Sequence, residues 1–95
     1  MNSKQRAMLR GMASKLEPYF WVGKEGIVPG TIQLVDECLE ANELVKGGVQ
    51  SNCPLTAKEA LTQLCEALHA EPVQYIGRRF VLYRPSEEDP RIVLP

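Results

Sequence analysis

Between Pro18 and Gly23 stand four residues, Tyr19-Phe20-Trp21-Val22, that most restrict what this chain can become. The run is too short for a helix and too rich in aromatic side chains for a loop, so it reads as a strand, and as a central one. On both sides of it apolar residues recur every three or four positions, the period of a helix that buries one face. A strand set between helices must find its partners further along the chain. A sheet whose strands are joined through helices is therefore the framework that every other segment has to fit.

Upstream, Ser3 is the expected cap of a helix reaching Leu16, with Leu9, Met12 and Leu16, and more weakly Met8 and Ala13, as its apolar stripe. Pro18 stops it. Downstream, a second helix from Pro29 or Gly30 to Asn42 puts Ile32, Val35, Cys38 and Leu39 on one side and the acidic set Asp36, Glu37 and Glu40 on the other. A strand from Leu44 to Gln50 follows. Gly47 and Gly48 inside it signal a bulge, an early end or a close backbone approach. Thr56-Ala57-Lys58-Glu59 has the form of a capping box and opens a third helix to about Ala70. Pro72 to Ile76 and Arg79 to Arg84 then make two strands around Gly77-Arg78, the spacing of a two-residue hairpin.

The order α-β-α-β-α-β-β predicts an α/β chain of the two-layer α+β kind. It has a four-stranded mixed sheet packed against helices, the first two strands parallel and the last two antiparallel. At 95 residues the chain fits one domain, 1–95, whose final residues 85–95 form a proline-bounded tail with apolar residues able to tuck against the body. No hydrophobic run has the length of a membrane helix or a signal-peptide core, and Cys38, Cys53 and Cys65 show no metal-binding or paired spacing. A reduced, cytoplasmic setting without a membrane partner is the resulting expectation.

The net charge of -1 names no partner, but its distribution is uneven. Residues 1–24 carry Lys4, Arg6, Arg10, Lys15 and Lys24 against Glu17 alone, residues 25–72 carry eight acids against two lysines, and residues 73–84 return three arginines, Arg78, Arg79 and Arg84. The first and third blocks would form a polyanion-binding face if the fold brought them together. Arg6 and Arg10 stand four apart on the polar side of the first helix. Like charges there repel by roughly a few tenths of a kcal/mol unless an anion lies between them, although a solvated face accounts for the pair equally simply.

Candidate chemistry narrows quickly. No nucleophile motif, zinc spacing, phosphate loop or GxGxxG is present, so no catalytic residue, metal or cofactor is expected. What remains is Gly23-Lys24-Glu25-Gly26. By itself GxxG is a tight turn. Placed between a strand and a helix start, it also lets a phosphodiester backbone approach the main chain where free N–H groups favour anions, as the GXXG loop of KH domains does. Glu25 opposes that attraction, so the loop needs help from Arg6, Arg10, Arg78 or Arg79. Trp21, on the strand face of Tyr19, either packs under a helix or borders the loop and stacks on an unpaired base.

The segments "SKQRAMLRGMASKLEP", "VGKEG", "ALHAEPVQYIGRRFVLYRPS" and the terminal "IVLP" resemble the CRM-domain family (chloroplast RNA splicing and ribosome maturation) in its single-domain bacterial, YhbY-type form. The resemblance implies a fold similar to the C-terminal domain of bacterial translation initiation factor three, binding of structured RNA without catalysis, and association with precursors of the large ribosomal subunit. By position it assigns RNA contact to Gly23, Lys24 and Gly26 and to the basic helix residues Lys4, Arg6 and Arg10, and it places Arg78 and Arg79 in a basic hairpin. The chain departs from the family's usual pattern at Lys46-Gly47-Gly48-Val49 and in its bulky Tyr19-Phe20-Trp21. A ribosomal-RNA-binding monomer is the expected partner arrangement. The alternative is a protein-interaction module that presents the acidic second and third helices to a ribosomal protein.

Overall fold

Helix α1 (Ser3–Ala13) starts one residue earlier in its capping than Ser3 suggested. Asn2 is the cap: its side-chain oxygen accepts the Gln5 N–H at 2.8 Å while Gln5 Oε1 accepts the Asn2 N–H at 3.1 Å. The helix closes at Ala13 rather than Leu16, because Leu16 N–H turns back to the Ala13 carbonyl in a tighter last turn. Strand β1 (Phe20–Val22), helix α2 (Pro29–Asn42), strand β2 (Leu44–Val49), helix α3 (Ala57–Leu68) and strands β3 (Glu71–Ile76) and β4 (Arg79–Tyr83) complete the computed structural model, which describes all 95 residues. The Thr56–Glu59 capping box forms as expected. Helix α3 stops at Leu68, two residues short of the expected end, where His69 takes the left-handed conformation (φ 55°) and turns the chain into β3.

The sheet order is β1-β2-β4-β3, with β1 and β2 parallel and the other two pairings antiparallel, so β1 is an edge strand and not the central one that its aromatic run suggested. A four-stranded mixed sheet against helices is thus the architecture present. Helices α2 and α3 bury Val35, Leu39, Leu61 and Leu64 against Phe20, Val22, Phe80 and Leu82 on one face. The rings of Phe20 and Phe80 meet edge to face at 5.8 Å. Helix α1 lies on the other face, where Leu9 and Ala13 meet Leu44, Val73, Val81 and Tyr83, so a third, partial layer joins the expected two. Each large side chain buried in these two clusters contributes about 1.5–3 kcal/mol.

Of the three readings open for Gly47 and Gly48, close approach is the one realised. β2 runs unbroken from Leu44 to Val49. A Cβ on Gly47 would stand 2.5 Å from Cζ of Phe20, and one on Gly48 would stand 2.5 Å from Cζ3 of Trp21 and 3.0 Å from the Arg78 carbonyl. The bulky aromatic run of β1 and the glycine pair of β2 therefore fit each other as one unit. The sheet's irregularity lies instead in β3, where pairing slips between Pro72 and Gln74 and directs Val73 toward α1.

Candidate nucleic-acid interface

The GKEG loop is closed by the Gly26 N–H, which donates to the Gly23 carbonyl at 3.0 Å. Its two glycines serve different purposes. Gly26 has φ +70° and is buried against Pro54 and Leu55, so it is required by the turn itself. Gly23 has a softer constraint: a Cβ there would stand 2.9 Å from Oε1 of the exposed Gln50, the end of a flexible side chain that can swing aside. Lys24 and Glu25 are exposed at the tip. The loop leads through Ile27 to Val28, which occupies the cap position of α2 and has no side-chain acceptor to offer the helix's first N–H groups.

Two consecutive residues, Val49 at the end of β2 and Gln50 just after it, fix this loop relative to the β3–β4 turn. The Gln50 N–H donates to the Val22 carbonyl at 2.9 Å, directly before the loop, and the Val49 N–H donates to the Arg78 carbonyl at 2.8 Å, inside the turn. The loop base and Arg78 thus flank the end of β2 at one edge of the sheet, about two strand spacings or ~10 Å apart. Gly77, with φ +59°, makes that turn possible. Arg78 and Arg79 are both exposed.

Trp21 lies on the α1 face of the sheet but beyond the reach of the helix, and is 46 % exposed. Its neighbours across the sheet are Gly48, then Arg79, then Ile76. The packing-under-a-helix reading of Trp21 is therefore not the one realised.

The basic residues of α1 do not join this edge. Arg6 Nε donates to the Pro72 carbonyl at 3.4 Å, at the start of β3, whereas the basic turn follows that strand's far end. The α-amino group of Met1 pairs with Glu71 at 3.8 Å, fixing the start of α1 at the same place. Lys4 and Arg10 are exposed on the helix. The expected single basic face is thus divided: Lys24 from the first block and Arg78 and Arg79 from the third stand at the same end of the sheet, while Arg6 lies at the opposite end. Arg84 is withdrawn altogether, since its guanidinium pairs with Asp36 at 2.9 Å and donates to the Leu68 carbonyl at 3.1 Å.

Sequence reasoning missed three residues that organise the surroundings. Lys46 Nζ crosses to the end of α1 and donates to the Ala13 and Leu16 carbonyls at 3.4 and 3.2 Å, the place where a helix dipole favours a cation. Glu43, with φ 66°, is fully buried and accepts the backbone N–H groups of Ser86, Arg91 and Ile92 at 2.8–2.9 Å. Glu40 accepts the Ser86 hydroxyl and the Glu87 N–H. Together the two carboxylates hold the tail, 85–95, against the end of α2. Burial works to raise the Glu43 carboxyl, but those three N–H groups and the Arg91 charge outweigh it and hold it below the ordinary value. An acid directly before the apolar run of β2 was the available signal.

The CRS1 / YhbY (CRM) domain model matches residues 1–84. The chain belongs to the CRM-domain family. Among CRM-related proteins, "Probable RNA-binding protein YqeI" of Bacillus subtilis is 38% identical over 95 residues, covering 100% of this chain and 99% of that protein. An "RNA-binding protein" of Haemophilus influenzae is 34% identical over 95 residues, covering 100% and 95%. The solution structure of a Staphylococcus aureus protein, described there as a candidate RNA-binding protein, superimposes with a TM-score of 0.82 at 40% identity, covering 100% of this chain and 99% of that one. The CRM match ends at Arg84, so the tail clasped by Glu40 and Glu43 falls outside the region that the family model matches.

Proposed function

We propose that this chain is a monomeric, cytoplasmic RNA-binding protein that acts without catalysis or cofactor on structured ribosomal RNA in precursors of the large ribosomal subunit. The observation that carries this reading is the pairing of the GKEG loop with Arg78 at one sheet edge, through hydrogen bonds from Val49 and Gln50. Because Glu25 offsets Lys24, the loop works by close approach, and the attraction comes from Arg78 and Arg79 beside it. Phosphate contacts of this kind fix register, while any sequence preference comes from exposed bases or RNA shape. Lys4, Arg6 and Arg10 provide a second, separate set of phosphate contacts along α1. The names borne by the CRM relatives support an RNA partner.

The competing reading, capture of a ribosomal protein by the acidic helices, loses its main residues to internal contacts: Asp36 is paired with Arg84, and Glu40 holds the tail. The direct test is affinity for structured ribosomal RNA across a salt series, where each phosphate neutralised adds about 0.7–0.9 to the log–log slope. A flat slope would exclude the backbone-cradle mechanism. Co-sedimentation of the tagged protein with large-subunit precursors tests the process, and its absence from those particles would remove the ribosomal assignment.

A further inference from the structure

Helix α1 covers only one end of its sheet face, and the uncovered end has a composition unlike the rest of the surface. Two rows of side chains mark it. The first, Trp21, Gly48, Arg79, Ile76, lies in the open, and the second, Tyr19, Lys46, Val81, Gln74, borders α1, which buries Val81 and holds the Lys46 ammonium; within each row every residue stands beside the next on the neighbouring strand. Tyr19 just before β1, Trp21 on β1 and Ile76 on β3 are 42 %, 46 % and 70 % exposed, apolar side chains at the two edges of this face with Gly48 and Arg79 between Trp21 and Ile76. No acid stands in either row. A hollow of about 220 Å³ opens between the rows, lined by Lys46, Gln74, Ile76, Arg79 and Val81 with the Phe80 backbone position at its floor.

Trp21 is set for contact by its neighbour. Because Gly48 has no side chain, the indole lies against the β2 backbone, where any Cβ would displace it. An aromatic ring supported from below, exposed above and sharing its row with the exposed Arg79 offers a π-face to a planar ligand, and the guanidinium meets a neighbouring phosphate. The occupant that matches all of this is an unpaired nucleotide segment. A duplex presents its bases stacked and its phosphates outermost, so it has nothing to place on the indole or in the hollow.

We propose that the uncovered end of the sheet is a platform for single-stranded RNA, on which an unpaired base stacks against Trp21 and its neighbour enters the hollow beside Gln74 and Arg79. The platform rests on the RNA-binding reading above and deepens it. The backbone that leaves Trp21 has only to pass the end of β1 to reach the GKEG loop, so an RNA junction with a paired and an unpaired arm engages both.

Trp21 is the sole tryptophan, so its fluorescence reports the site directly. The full chain is titrated at low salt with a single-stranded RNA of about ten nucleotides and with an RNA hairpin whose fully paired, blunt stem is closed by a non-nucleotide linker, so that no base is unpaired. Quenching and a blue- or red-shifted emission by the single strand, absent or much weaker with the hairpin, is the expected result. Trp21→Leu should weaken single-strand binding roughly 5- to 150-fold, the equivalent of ~1–3 kcal/mol per stacked base, and leave hairpin binding within about twofold. Trp21→Phe, which retains a ring, should recover part of the loss, and circular dichroism checks that both variants remain folded. If both RNAs bind but Trp21→Leu leaves the single strand unaffected, or if the hairpin quenches equally, the platform is overturned and the cradle stands. If neither RNA binds, the RNA-binding reading itself falls and the platform with it.

Discussion

The backbone N–H of Ser86 donates to the buried carboxylate of Glu43 at 2.9 Å, tying a residue beyond β4 to the junction of α2 and β2. Arg91 and Ile92 donate to the other oxygen of the same carboxylate, so one side chain replaces water for three main-chain groups. Glu43→Gln halves the accepting capacity and should cost roughly 1–3 kcal/mol while releasing the tail to proteolysis. The pH dependence has a definite sign. Glu43 and Glu40 are both held below the ordinary carboxyl value of 4.5 in the folded chain, Glu40 first of all by the Ser86 hydroxyl. Their stabilisation is therefore present above that value and is lost as pH falls through the lower, folded-state one. Thermal melts between about pH 7 and pH 3 should show wild-type stability falling in that acid window, and Glu40→Gln/Glu43→Gln should show a shallower decline.

Glycines of different surroundings should respond oppositely to alanine. At Gly47 the new methyl would meet the ring of Phe20, itself buried and unable to swing away, so Gly47→Ala should destabilise by about 1–3 kcal/mol. Gly11 lies in α1 with nothing within 4 Å of an added Cβ. Gly11→Ala should stabilise by about 0.5–1 kcal/mol through helix propensity alone. Urea denaturation of the two variants beside wild type measures both.

Much of this architecture is legible from periodicity, because each helix has one apolar stripe and the strands are short runs between turn residues. The element order, the hairpin at Gly77 and the capping box at Thr56 all depend on local chemistry and are readable for that reason. What is not readable depends on contacts between distant segments. The Phe20–Gly47 and Trp21–Gly48 fits need the β1–β2 register, and the burial of Glu43 needs a tail more than forty residues away. The site follows the same division. The GKEG loop is visible as a local motif, whereas its alignment with Arg78 arises from the ends of three strands, and the remoteness of Arg6 follows from where α1 crosses the sheet.

Gly23 and Gly26, symmetrical in the motif, should separate by experiment. Gly23→Asp meets only the mobile end of Gln50, so the variant should stay folded while placing a carboxylate where the RNA backbone approaches. Its RNA affinity should fall about tenfold, or ~1.4 kcal/mol. Gly26→Ala forces a side chain into positive φ at a buried turn, at a cost of about 1–2 kcal/mol, and should lower stability before it reports on binding. Melting temperatures paired with filter-binding curves distinguish the two, and unchanged affinity in folded Gly23→Asp would exclude the loop as a contact.

The acidic face of α2 offers the last discrimination, because its three prominent acids are not equivalent. Asp36, its own side chain 53 % exposed, pairs with the Arg84 guanidinium, whose side chain is 15 % exposed, so Asp36→Lys removes the partner of a largely buried cation and sets a like charge beside it, at a cost of about 1 kcal/mol. Glu40→Lys removes the acceptor for Ser86 and Glu87 and should free the tail. Glu37 is exposed and joins no ion pair, so Glu37→Lys should leave stability within about 0.5 kcal/mol. It is therefore the one reversal whose effect on partners is not confounded with folding. On the RNA-binding reading Glu37→Lys leaves affinity for ribosomal RNA unchanged or slightly raised. Loss of ribosomal-protein capture with RNA binding intact would instead establish this face as a protein contact, and the pull-down paired with the salt-dependent RNA titration measures both in one variant.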